Sequence, residues 1–553
     1  MKKTLIALSV CVFVTTLPAQ KLSTLKDIQK GAASSNPSGL TLINNKLYFA
    51  ADDSVHGNEL WVSSGTPGTT HLLVDVNPGT AASNPQNLIY FKGALFFTAN
   101  DGTHGIELWK LNLSTKNLQR LTNTSVSSPF WNKTGFIIYQ NKLYFSFNDG
   151  IHGFKLWKTD GTPAGTKIVD ASQFAPTVPR DFFIFKNRLF FHCNAFDQVN
   201  IQALYVMNND SSAKRFFNCG EDGCSNFTIL NDAFYFFSDD MIINHPDMEL
   251  YKSNGTASGT HIVKQINPTG WAIPYVTGSP LVASNNELFF TADDGVHGFE
   301  LWKSDGTADG TQMVKDINSG ESQTILNSFI PYHNKLIFQA WQYGKAGTWI
   351  SDGTDAGTIK LADTVRISSG EGEYIIANNK LLFQGYVDNY GYELCITDGT
   401  PAGTKLKHDI NRGITGSYPS DFIPWDSTLF FVADDDVKGN EVFRLSPFNF
   451  NDTSTASIVN AIAINKPKTW LNQNSPNPFK TITQIQYSLP QKYDNANLVV
   501  YNATGRLIKS IALTGNETQT LSLNATGLPA GVYYYNLVVD ETIVDSKKCI
   551  VIK

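Results

Sequence analysis

Apolar residues along this chain come in short runs rich in Phe, Tyr, Leu, Val and Ile, separated by turns of Gly, Asp and Asn. Residues 288–292 read LFFTA, the turn DDGVHG follows at 293–298, and residues 299–304 read FELWKS. A second turn, DGTADGT at 305–311, leads to QMVKDI at 312–317. Such runs are strand signals, and no sustained 3.6-residue periodicity competes with them. A further apolar segment precedes each unit, as NLIYF at 87–91 precedes ALFFTA at 94–99. Each unit therefore supplies four antiparallel strands, named a to d in chain order.

The units repeat. A phrase built on Glu-Leu-Trp has its central position at Leu60, Leu108, Leu156, Leu204, Leu250, Leu301, Thr348, Leu394 and Val442, with steps of 48, 48, 48, 46, 51, 47, 46 and 48 residues. Four strands in a period of this size make the blade of a β-propeller. The ends of the array predict a closed ring. LKDI at 25–28 matches VKDI at 314–317, and GAASSNP at 31–37 matches GTAASNP at 79–85, so the chain starts on a d strand without its own a, b and c. At the other end residues 429–433 and 441–445 give b and c, and no d follows. The segment 25–28 is expected to complete the ninth blade and hide two sheet edges. One ring of nine blades over residues 21–446 is preferred to two rings, because the sequence offers a single closure.

Composition narrows the class further. The chain has 553 residues, 42% hydrophobic and 12% aromatic, ample for a packed core, and a net charge of −6 that argues against a nucleic-acid partner. The start, MKKTLIALSVCVFVTTLPAQ, has two lysines, an apolar run at 5–14 and Ala19, which reads as a signal peptide over 1–20. No later segment has the length and apolarity of a transmembrane helix. Five cysteines remain beyond it, without zinc-type spacing. Cys219 and Cys224 flank GEDG and could close a small disulfide, while Cys395 stands where the repeat has Trp and reads as a buried thiol.

The motifs ELWKSDGT at 300–307, KLWKTDGT at 155–162 and ELCITDGT at 393–400 resemble the bacterial family of E-L-W-x-x-D-G-T repeat proteins, over roughly residues 24–445. That resemblance implies an extracellular repeat protein and brings no catalytic residues with it. Residues 447–468, rich in Asn, Ser, Thr and Ala, read as a linker. Beyond them, residues 469–553 read as a small Ig-like β-sandwich, with alternation at Ile485, Tyr487 and Leu489 and glycine turns at 505 and 531. Its Asn-Pro-Phe opening, YNATGR at 501–506, LPAGVY at 528–533 and Lys-containing last strand are similar to the type A C-terminal sorting domain of the Bacteroidota type IX secretion system. The resemblance implies export across the outer membrane by that machinery, to the medium or the cell surface.

Two sets of residues are candidates for chemistry. The b–c turn carries His56, His104, His152 and His297, each followed three residues later by Glu59, Glu107, Lys155 or Glu300. Read functionally they are metal ligands or acid/base pairs. Read structurally, His and the strand carboxylate satisfy each other between blades, and repetition favours this reading. The Asp-Gly-Thr hairpins read as turn chemistry. Their paired Asp residues raise calcium, but a full oxygen-rich ligand loop is missing, and no other cofactor is expected. Trp61, Trp109, Trp157 and Trp302, with Trp349, read as cement between sheets.

The aromatics outside the repeat are the candidate ligand-binding residues. Trp131 and Trp271 fall in d–a loops, Trp341 and Tyr343 in a b–c loop, and Tyr386, Tyr390 and Tyr392 around another b–c turn, all toward one face. No nucleophile–base arrangement and no isolated carboxylate pair stands out. The expectation is a monomeric, non-catalytic secreted or cell-surface propeller that binds an extracellular glycan or protein. The alternatives are a polysaccharide-degrading hydrolase or lyase with its site in the top funnel, and a structural adhesion component.

Overall fold

The computed structural model describes residues 20–552 apart from 125, 127–128, 131–134, 171–176, 195–201, 210, 221–222, 240–247, 269, 275–279, 320–322, 369–373, 378, 449–469, 473, 475, 490–494, 503–505, 515–517 and 540–541. The signal segment, Trp131, most of the linker and Gly505 lie outside the described residues. The chain divides into two compact units, residues 1–462 and 463–553.

Among the described residues the first unit is a succession of nine antiparallel sheets, each running a-b-c-d. In the sixth, Val282–Ser284, Glu287–Ala292, Glu300–Ser304 and Gln312–Lys315 are the four strands. The Leu of the repeat phrase faces the core: Leu60, Leu108, Leu204, Leu250, Leu301 and Leu394 are each 0% exposed. Apolar clusters join every sheet to the next. One such cluster unites Leu47, Phe49 and Trp61 of the first sheet with Phe430, Val432 and Val442 of the ninth. The succession therefore closes on itself as a propeller. The eighth sheet has five strands, because Val365–Ile367 and Tyr374–Ala377 both pair with Lys380–Val387.

Closure uses the N-terminus, shifted from the expected segment. The strand is Lys21–Thr24, paired antiparallel with the ninth sheet's strand c from Lys21 opposite Ser446 to Thr24 opposite Phe443. Residues 25–28, the expected strand, turn off its end. The Leu25 amide makes the last ladder bond, to Val442 O at 2.6 Å, and the Ile28 amide bonds the Glu441 carboxylate at 3.1 Å. The match to VKDI at 314–317 holds in this loop, where Ile28 donates to Glu441 as Ile317 donates to Glu300. The ring also extends past the expected boundary, since Phe448 is buried in the cluster between the eighth and ninth sheets.

Cations tie several neighbouring sheets together at the c–d turns. Lys110 Nζ donates to Gly161 O at 2.7 Å, Lys252 Nζ to Gly306 O at 3.0 Å, and Arg444 to Gly65 O at 3.2 Å. These glycines are at φ of 93°, 87° and 86°, a conformation that a side chain would strain. The turn itself is stapled by its own residues: Asp305 accepts from the Thr307 amide at 2.9 Å and hydroxyl at 2.7 Å.

The second unit is a two-sheet sandwich. Trp470–Leu471, Ile482–Ser488 and Thr518–Asn524 form one sheet; Leu507–Ala512, Ala496–Asn502, Gly531–Val539 and Thr542–Val551 form the other. Ile485, Tyr487 and Leu489 all enter its core, as their alternation predicts. Gly531 begins a strand instead of making a turn; the left-handed position is Gly527, at φ 83°.

Candidate functional site

The repeated His and Glu do not pair with each other, contrary to the structural expectation. Each His bonds the Asp three residues before it, as in His56 Nδ1 to Asp53 at 2.8 Å, His104 to Asp101 and His152 to Asp149 at 2.7 Å, and His297 to Asp294 at 2.8 Å. The rings stand 35–39% exposed and cap their own turns. The Glu residues go elsewhere. Glu59, 0% exposed, accepts from the Val76 amide at 2.8 Å, the Ser83 amide at 2.9 Å and the Ser83 hydroxyl at 2.6 Å. Glu107 binds Thr122 and Thr124, Glu300 binds Ile317, Asn318 and Thr324, and Glu393 and Glu441 act likewise. Each carboxylate pins the d–a loop that carries the chain to the next blade. Strand spacing alone suggested the wrong partner, because the amides that meet Glu59 lie 17 to 24 residues away.

Irregular blades replace this anchor. Lys155 is buried in the third, Thr348 bridges Val365 and Ile367 in the seventh, and Gln339 adds a bond to Ile367 O at 2.7 Å. In the fourth blade, where Ala203 holds the Glu position, a disulfide joins Cys219 and Cys224 across the d–a loop with Cα atoms 5.1 Å apart. His192, 3% exposed, lies between Asp181 at 3.3 Å and the Cys224 amide at 3.4 Å. Both ring nitrogens are engaged and burial lowers its pKa, so it is a packed, neutral histidine. Cys395 is buried as expected, and burial pushes its thiol well up.

Burial also raises the anchoring carboxylates, Glu300 and Glu441 to about 7, against the opposing hydrogen bonds from Thr324 and Ser35. A carboxyl near 7 when folded and 4.5 when unfolded binds more protons in the folded state between those values. Its contribution is full below about pH 4.5 and is lost as pH rises through 7. The stability of the wild-type ring relative to Glu300→Gln should therefore fall by about 1–3 kcal/mol between pH 5 and pH 8, measured by denaturant unfolding at both. A constant difference would refute the raised carboxyl.

The tryptophans of the repeat each join the cluster toward the preceding sheet: Trp61, Trp109, Trp302 and Trp349 are 4–9% exposed, and Trp157 packs beside Phe147. The remaining aromatics are surface residues. Trp271 is 38% exposed and Tyr343 71%. Trp341 is 40% exposed but belongs to strand b, Lys335–Gln342, and not to the loop; only Tyr343 is in the turn.

The structure gathers one group. On the eighth blade Arg366 lies over the Tyr386 ring at 4.7 Å, Tyr386 meets Tyr392 at 5.2 Å between centroids, and Tyr392 meets Tyr418 at 5.2 Å. Arg366 also pairs with Asp388, and Tyr390, 40% exposed, stands in the adjoining turn. The row crosses strands a, b and c and continues into the next d–a loop, whose Ser417 and Tyr418 amides both bond Tyr392 O, at 2.7 and 3.1 Å. Arg366, Tyr386 and Tyr392 sit on paired strands. Arg366, Asp388 and Tyr418 escaped the sequence reading. The signal was there for Tyr418, since Ser417-Tyr418-Pro419 replaces Ser-Asn-Pro at 35–37 and 83–85. Asn36, Asn84 and Tyr418 share φ near 45–49°, a left-handed position that suits Asn and strains Tyr. Among the described residues no three His, Cys, Asp or Glu converge as a metal site.

Comparison with known proteins bears mainly on the tail. Residues 475–553 match the family model of the secretion system C-terminal sorting domain. None of the curated proteins compared with the chain matches it. Among solved structures, puromycin hydrolase is 11% identical at TM-score 0.33, covering 64% of this chain and 59% of its own. A puromycin-hydrolyzing peptidase of Mycobacterium tuberculosis is 10% identical at 0.35, covering 76% and 61%. The β-propeller domain of the Trilobed protease from Pyrococcus furiosus is 10% identical at 0.29, covering 60% and 99%. The chain spans about three fifths of the length of the first of these. Nothing of their chemistry transfers at such distances.

Fold and tail together define a class: an all-β propeller protein with a C-terminal sorting domain. The tail makes it a type IX secretion substrate, hence a secreted or cell-surface protein. No helix among the described residues is long and apolar enough to cross a membrane.

Proposed function

We propose that this is a non-catalytic propeller that binds an extracellular ligand, glycan or protein, on the face built by the b–c and d–a loops. The tyrosine row of the eighth blade carries the reading. It is exposed and amphipathic, and it includes a strained Tyr where the repeat has Asn. Strain kept at one position, against the pattern of sister blades, marks a site where function outweighs local stability. Phenol rings offer flat apolar faces with hydroxyls at the edge, suited to sugar rings or to a partner's side chains. Trp271, Trp341 and Tyr343 are candidate outlying contacts on the same face.

The test is a screen of the full chain against polysaccharides and surface proteins, measuring binding and new reducing ends together. Tyr418→Asn should weaken binding of the best ligand about tenfold, on the scale of one lost stacking platform, and leave the thermal midpoint unchanged or slightly higher. Unaltered affinity would remove the row from the site. Release of reducing ends would favour the hydrolase or lyase reading instead.

A further inference from the structure

One position at the end of strand b is Asp or Asn in every blade but two, and those two are neighbours. It lies two residues beyond the strand-b partner of the repeat's central residue. Asp52, Asn100, Asn148, Asn194, Asp239, Asp293 and Asp434 occupy it in blades 1 to 6 and 9. There the side chain caps the b–c turn, as Asp52 accepts from the Ser54 amide at 2.6 Å and Asn100 from the Gly102 amide at 2.8 Å. In the seventh and eighth blades the position carries Trp341 and Tyr386, 40% and 37% exposed. Their turns are also shorter: Gln342 already pairs with Lys345 and Val387 with Gly391, whereas Asp52 pairs with Asn58.

Hydrogen bonds join the two blades into one strip. The strand Val365–Ile367, which carries Arg366, is held by the seventh blade: Gln339 Nε2 donates to Ile367 O and the Thr348 hydroxyl to Val365 O, both at 2.7 Å. Gln339 and Trp341 share a face of strand b, and Arg366 pairs with Tyr386. The order across the surface is therefore Trp341, Arg366, Tyr386, Tyr392 and Tyr418. Asn318, 5% exposed, fixes the seventh-blade end, donating to Trp341 O and accepting from the Tyr343 amide, each at 2.9 Å. Tyr343, at φ 48°, and Tyr418, at 49°, are the tyrosines with positive φ among the described residues. Each holds a backbone conformation that suits Asn, so strain is kept at both ends of the strip.

We propose that the ligand of the tyrosine row is a linear polysaccharide that lies along this strip and stacks on both blades. This rests on the reading of the row as a binding site and names its substrate class. Sugar units repeat an apolar ring face with a hydroxyl edge. On the eighth blade the aromatic rings recur in steps of 5.2 Å, comparable to the length of one sugar ring, with the Arg366–Asp388 pair beside them. A protein partner is held by anchors that fill desolvated pockets. Here Trp341, Tyr386, Tyr390, Tyr418 and Tyr343 stand 37–71% exposed along an open surface.

The experiment titrates the full chain with cello-, manno-, chito- and laminari-oligosaccharides of two and six units. At least one hexamer should bind, at least about tenfold more tightly than its dimer, because only the longer chain reaches the second blade. Trp341→Ala should weaken that hexamer about tenfold, on the scale of one stacking platform, and the dimer less than about twofold. Tyr418→Asn should weaken both. A hexamer no tighter than its dimer, or unchanged by a folded Trp341→Ala protein, overturns the two-blade strip, while the Tyr418→Asn effect keeps the row as a site. No binding by any oligosaccharide overturns the glycan assignment. A protein ligand that Tyr418→Asn weakens would then leave the row standing as a binding site.

Discussion

Removal of residues 21–30 should destabilise the propeller by about 5 kcal/mol or more, a large share of the net stability of an ordinary fold. The loss has three sources. One strand pairing of four residue pairs disappears and leaves the edge at Phe443 to Ser446 open. Leu25, 0% exposed, and Ile28, 9%, leave the cluster between the ninth and first sheets, each a change on the scale of about 2–5 kcal/mol. Glu441 loses the Ile28 and Gln29 amides and keeps Ser35 as partner. Equilibrium unfolding of the two proteins, with light scattering to detect edge-to-edge association, measures the effect. A shortened chain as stable as the full one would mean that closure rests on the apolar contacts of the other strands.

Export should be lost altogether when the chain stops at residue 449. The match to the sorting domain covers residues 475–553, and the sandwich they form has a core of its own. The shortened ring should fold and accumulate in the periplasm of the native host, while the full chain reaches the surface or medium. Fractionation with an antibody to the ring reads the outcome, and equal delivery of both chains would show that the tail is not the address.

Much of the architecture was legible because a propeller is local in sequence. Each sheet is made from one continuous unit of about 48 residues, and strand alternation and turn residues are read within it. The ring's closure was legible for a different reason: a surplus strand at one end matched a deficit at the other. Its register was not, since the strand that residues 21–24 pair with lies more than 400 positions away. Glu59 and its equivalents were misassigned for the same reason. The sequence shows a carboxylate three residues from a histidine, but the partners that neutralise its burial arrive with the next loop.

The candidate site divides along the same line. Tyr386 and Tyr390 could be picked out because they interrupt a repeat. Arg366 and Tyr418 joined them only when strands from two blades were laid side by side, because the row crosses the strands instead of following one. By itself the sequence determined the all-β class, the repeat, the surplus first strand and the exported tail, all of which are written in neighbouring residues or in recurrence. The tertiary structure decided which buried charges meet which amides and which aromatics form a surface. Those are contacts between repeats, and a repeat read alone contains only half of each.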